Sequence, residues 1–207
     1  MNRIWDDIKW IFEPDGSLRD IYIQDVVIRD WEKLIDFLNI TFDLKFGDNN
    51  KIDKEYVIRY LGDKTGKMEC KSLSIDINGI TIKCYFFLSD QIEFDIDPNE
   101  IKSLEHFEAI ESFMTSISKT LHNQVTLTDE NTPKFPLIKI DVEKGINKVL
   151  TKSEAIKLSG NRISISNQLS LIKAKLKMRF LPNLLKKQML ESANELYRST
   201  GKNENVW

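Results

Sequence analysis

Leu73, Ile75 and Ile77 alternate with polar residues up to Asn78-Gly79, and an apolar-rich run from Ile80 to Leu88 follows. Period-two alternation turns one face of a segment toward a core and the other toward water, and Asn-Gly suits the two positive-φ positions of a type I′ turn. The pattern predicts an antiparallel hairpin, so the chain must build a sheet and a second layer that covers its apolar face. Ile92, Phe94 and Ile96 extend the hairpin as a third strand. With only 8 Gly and 5 Pro in 207 residues and 41% apolar side chains, the composition fits a compact α+β protein with a sizeable core.

The other segments fill in that class. Trp10 to Phe12 and Ile21 to Ile23 flank Glu13-Pro14-Asp15-Gly16-Ser17, which predicts a first hairpin. Asp30 is placed to cap a helix carrying Trp31, Leu34, Ile35 and Leu38 on one stripe, and Phe42, Leu44 and Phe46 then alternate as a strand. After a loop at 47–50, Tyr56, Val57, Tyr60 and Leu61 predict a short helix stopped near Gly62, with an edge strand as the alternative. Pro98 is expected to open the best helix of the body, with Leu104, Phe107, Ile110, Phe113, Met114, Ile117 and Leu121 on one face. Strands are predicted at 125–127 and 137–142, on either side of a turn-rich connection with two prolines. The order reads ββαβ(α)βββαββ, a largely antiparallel sheet with helices packed on one face. Beyond Gly145 the pattern predicts a weak helix at 148–158, a brief alternation at Ile163 and Ile165, and helices at 168–181 and 184–197 separated by Pro182.

Charge divides the chain as well. Residues 1–150 hold 28 Asp/Glu against 19 Lys/Arg, a balance of −9, whereas residues 151–207 hold 4 against 11, a balance of +7. The expected organisation is an acidic α+β body at 1–150 followed by a basic helical C-terminal extension at 151–207. Leu169, Ile172, Leu176 and Phe180 form an apolar stripe on that extension, with Lys173, Lys175, Lys177 and Arg179 around the rest. Such an arm suits an acidic protein, a second copy or its own body better than single-stranded nucleic acid, because the aromatics that stack on bases are sparse. Every apolar run is shorter than the roughly 18 residues that span a membrane, and the N-terminal segment has no signal-peptide pattern, which predicts a cytoplasmic protein. Cys70 and Cys84 are too few for a disulfide framework or a zinc ligand set, and both are expected to be reduced and structural.

Little in the sequence points to catalysis. Asp95, Asp97 and Glu100 place three carboxylates in six residues, as a hard-cation site would, but Asp97 before Pro98 and Glu100 in a first helical turn are explained by capping. Asp63 with Glu69-Cys70-Lys71 has the acidic and Glu-x-Lys spacing of a magnesium-dependent nuclease, in a pattern short enough to arise by chance in a chain that is 30% charged. His106 falls on the polar side of the long helix and His122 just past its end, where the helix dipole favours a structural histidine. No nucleophile with a neighbouring base and no glycine-rich phosphate loop is visible. No catalytic residue, cofactor or resident metal is expected. The candidate partner contacts are Asp95, Asp97 and Glu100 on the body and Lys173, Lys175, Lys177, Arg179, Lys186 and Lys187 on the arm.

Three segments carry a family resemblance: Trp5-Asp6-Asp7-Ile8-Lys9-Trp10-Ile11-Phe12-Glu13-Pro14-Asp15-Gly16-Ser17-Leu18-Arg19-Asp20-Ile21-Tyr22, Phe94-Asp95-Ile96-Asp97-Pro98 and Val125-Thr126-Leu127-Thr128-Asp129-Glu130-Asn131. Over residues 1–142 the chain resembles small bacterial immunity proteins encoded beside polymorphic and contact-dependent toxins, although the basic tail departs from their compact acidic form. The resemblance implies a non-catalytic inhibitor that binds a toxin domain and blocks its active site. The alternatives are an adaptor or regulator whose basic helices contact nucleic acid or an acidic protein and, third, the magnesium-dependent nuclease.

Overall fold

The computed structural model describes residues 5–156. The chain divides into two compact units, Met1–Glu154 and Ala155–Trp207. The alternation at Ile163 and Ile165, both predicted arm helices and the basic residues from Lys173 to Lys187 lie outside the described residues.

The first unit is an α+β fold with one eight-stranded sheet in which every neighbouring pair is antiparallel. In chain order its elements are α1 (Trp5–Ile8), β1 (Arg19–Gln24), α2 (Ile28–Thr41), β2 (Leu44–Phe46), α3 (Lys54–Gly62), β3 (Leu73–Ile77), β4 (Ile80–Cys84), β5 (Gln91–Ile96), α4 (Leu104–Leu121), β6 (Val125–Asp129), β7 (Pro136–Asp141) and β8 (Ile146–Val149). The strands lie in the order β2-β3-β4-β5-β1-β6-β7-β8. The β3–β4 hairpin forms as its alternation dictates, with Asn78 at φ +56° and Gly79 at φ +81° in the turn.

Apolar residues of alternating parity turn to one face, where the helices lie. Phe94 of β5 meets Phe113 of α4 at 5.3 Å between ring centroids, and Phe46 of β2 meets Tyr56 of α3 at 6.0 Å. Phe86 bridges Phe46 to Trp31 of α2 at 5.9 and 5.5 Å. Trp31, Leu34, Ile35 and Leu38 are buried as their spacing requires, as are Phe107, Ile110, Phe113, Met114, Ile117 and Leu121. Burying that much apolar surface is the dominant stabilising contribution.

Four expectations are corrected. Trp10 to Phe12 is not a strand: α1 runs into a 3₁₀ turn over Lys9–Phe12, because Ile8, Ile11 and Phe12 share a buried face and Phe12 packs edge-on against Phe107 at 6.3 Å. β1 instead takes β5 and β6 as neighbours, and the Arg19 guanidinium ties the 11–15 segment down by donating to the carbonyls of Ile11 and Glu13. The helix expected from Pro98 starts at Leu104, since Asp97 caps only a 3₁₀ turn over Pro98–Glu100 and the Ser103 hydroxyl, accepting from His106 N, supplies a new cap. Asp30 stands in the first turn of α2 and caps backwards, its carboxylate accepting from Val27 N at 3.1 Å. The helix expected from Lys148 is preceded by β8, where Ile146 and Val149 extend the sheet edge. Helical residues resume only at 152–156, behind a Thr151–Glu154 capping box.

Candidate functional site

The face of the sheet turned away from the helices carries the polar half of each alternation. On β5, Ile92, Phe94 and Ile96 enter the core, so Gln91, Glu93 and Asp95 face the other way; on β1, Ile21 and Ile23 do the same for Asp20 and Tyr22. The antiparallel register then sets Asp20 opposite Asp95 and Tyr22 opposite Glu93. Cross-strand neighbours of this kind touch, and oxygens of Asp20, Glu93 and Asp95 lie within 4.8 Å of one another.

Burial makes this cluster electrostatically unusual. Asp20 and Tyr22 are 2% and 3% exposed, while Glu93 and Asp95 are half-buried. The Tyr22 hydroxyl donates to Asp20 Oδ2 at 2.7 Å, Asn131 N donates to the same oxygen at 2.6 Å, and Gln91 Nε2 donates to Glu93 Oε2 at 3.0 Å. None of the three carboxylates forms an ion pair among the described residues. Desolvation, reinforced by Asp20 and Asp95, pushes Glu93 up to about 7; desolvation, Asp20 and Glu130 push Asp95 up to about 6 against the opposing pull of Lys83. Asp20 also rises through desolvation, less its bonds from Asn131 and Tyr22, and the Tyr22 phenol is raised by burial and by Asp20.

Such a cluster concentrates negative charge that a proton or a cationic side chain would offset. Hydrogen bonds occupy Asp20 Oδ2 and Glu93 Oε2, which leaves the other carboxylate oxygens to meet such a group. At the other end of the β1–β5 pair, beyond Gln24 and Gln91, Val27 is 60% exposed and Phe87 and Leu88, in the loop leading into β5, are 61% and 49% exposed. The two segments are joined by Val26 N donating to Asp90 O at 3.1 Å.

Of the described residues singled out from sequence, Asp95 belongs to this cluster and the others do not. Asp97 Oδ1 accepts from Asn99 N at 2.8 Å, and Glu100 Oε2 accepts from Thr81 N at 2.7 Å, so both carboxylates are engaged with backbone rather than gathered beside Asp95. Both oxygens of Asp63 accept from its own loop, at Thr65, Lys67 and Met68, which holds it down to about 2. Lys71 Nζ stands over the Tyr56 ring at 4.3 Å, and the Tyr56 hydroxyl donates to Glu69 O, so this stretch is occupied in packing the α3 end. His106 Nδ1 accepts from Lys102 N, and His122, at φ +52° at the end of α4, pairs with Glu143 at 2.7 Å. Cys70 is exposed and Cys84 buried. Asp20, Tyr22 and Glu93 escaped the sequence reading; the available signal was the acidic parity of the two strands. Among the described residues, no helix is long and apolar enough to cross a membrane. No family model matches this chain, and neither curated proteins nor solved structures include a significant match.

Proposed function

We propose that the protein is a non-catalytic binding protein of the immunity kind, whose acidic body receives a basic domain of a bacterial toxin on the face that carries Glu93 and Asp95. The observation that carries this reading is a carboxylate cluster without an ion pair among the described residues: a partner Lys or Arg placed there gains a charge-assisted bond and relieves like-charge repulsion at once. An acidic body also accelerates encounter with a cationic nuclease-like partner.

The test is whether a gene beside this one encodes a protein with a C-terminal toxin domain, followed by co-purification and growth rescue with that domain, comparing wild type with a Glu93→Gln, Asp95→Asn double variant. A complex that rescues growth, weakened at least tenfold by the double substitution, supports the reading. Failure of the wild type to bind or neutralise that domain refutes it. Retention of DNA or RNA with a steep salt dependence, lost when residues 151–207 are removed, would favour the regulator instead.

A further inference from the structure

The connection between β6 and β7 is fastened to the polar face of the sheet at the carboxylate cluster. Asn131 N donates to Asp20 Oδ2 at 2.6 Å, and Leu18 N donates to Glu130 Oε2 at 3.3 Å, so the start of this connection is held by one carboxylate of the cluster and contributes another beside it. The groups that face the cluster come from five places. β1 supplies Asp20 and Tyr22, with Arg19 at its start; β5 supplies Gln91, Glu93 and Asp95; β4 supplies Lys83, opposite Asp95 in register. β6 supplies the uncharged Thr126 and Thr128, and the connection supplies Glu130 and Asn131.

Among the described residues Arg19, held by the carbonyls of Ile11 and Glu13, lowers Asp20 and Lys83 lowers Asp95, so two cations face four carboxylates. Three acids whose oxygens converge within 4.8 Å in a half-buried setting cannot all ionise as they would in water. We propose that Glu93 and Asp95 carry one proton between them at neutral pH beside an ionised Asp20, and that this proton latches the β6–β7 connection over the sheet. With the proton in place, Asp20 keeps the charge that attracts Asn131 N, while the repulsion on Glu130 is at its smallest. Loss of the proton adds charge beside Glu130 and loosens the turn that carries Asn131. The device requires no partner, so it stands or falls apart from the docking reading.

Carboxyl-carbon NMR of the labelled full chain across about pH 4.5 to 8.5, with hydrogen exchange at Asn131, tests both halves. The carboxyls of Glu93 and Asp95 should titrate together well above the ordinary acidic range, and the protection factor of the Asn131 amide should fall about tenfold over the same interval, the factor one pKa unit of coupling gives. Glu93→Gln should shift the remaining pair to lower pH and flatten the Asn131 response. Lys83→Met, which leaves all the carboxylates in place, should shift the titration to higher pH, and it decides the matter if Glu93→Gln does not fold. Titration of all three carboxyls near pH 4, or Asn131 protection that is constant while they titrate, overturns the proposal.

Discussion

Phe113 joins the helical layer to the sheet, and its truncation tests the fold. Its side chain is 2% exposed and its ring meets Phe94 of β5 at 5.3 Å and Phe42, just past α2, at 5.5 Å, both edge-on. Phe113→Ala removes the buried transfer energy of a benzyl group, leaves a cavity between rigid neighbours and breaks two aromatic contacts. Comparable deletions cost about 3–5 kcal/mol, a large fraction of the roughly 5–15 kcal/mol that holds a domain folded. At about 2–4 °C per kcal/mol for a chain of this size, Tm should fall by roughly 6–20 °C. Urea denaturation followed by far-UV circular dichroism reads the same loss as a lower midpoint at an unchanged slope. Phe87→Ala is the control: the same chemistry at a 61% exposed position should cost no more than about 0.5 kcal/mol. Equal midpoints for the two variants would refute the packing of α4 on the sheet.

Two further outcomes concern ionisation. Glu93 and Asp95 are raised, to about 7 and about 6, so their contribution is fully present below the ordinary carboxylate range and is lost as pH rises through those values. Asp15 and Asp63, held down to about 2 by their own turns, contribute above the ordinary range and lose that contribution as pH falls through about 2. The urea midpoint should therefore be higher at about pH 5 than at about pH 8, and Glu93→Gln should remove most of that difference; a midpoint that rises toward pH 8 would contradict it. Burial pushes the Cys84 thiol up to about 12 while Cys70 is exposed, so a maleimide should label Cys70 in the native protein and Cys84 only on unfolding, as mass spectrometry would show. Native labelling of both thiols at similar rates would be inconsistent with a closed core beside β4.

The elements legible in the sequence are those whose signal is local. The stripe from Trp31 to Leu38 and the Asn78-Gly79 hairpin needed only spacing and turn chemistry, and both stand as read. The errors fall where local signals admit two partners. Trp10 to Phe12 is apolar enough for a strand, but its neighbours Ile8 and Phe107 draw it into a helical turn. The sequence pattern reads Lys148 and Val149 into a helix, yet β7 offers the 146–149 segment a free edge.

The carboxylate cluster was hidden for a stronger version of the same reason. Asp95 stood out in sequence beside Asp97 and Glu100, but adjacent residues of a strand point to opposite faces and residues past its end serve their own turn, so nearness along the chain misassigned its companions. Its true neighbours are Glu93, two residues away on the same face, and Asp20, brought opposite by a β1–β5 pairing that joins strands with α2, β2, α3, β3 and β4 between them in the chain. No alternation pattern specifies that pairing; it follows from closing eight strands under one helical layer. A sheet closed this way has one face set by apolar packing and leaves the other to polar chemistry. Here that freedom places three acids on the two central strands with no ion pair among the described residues, whereas Asp36 elsewhere on the molecule pairs with Lys54 at 2.7 Å. The core specifies the register, and the register in turn assembles the site.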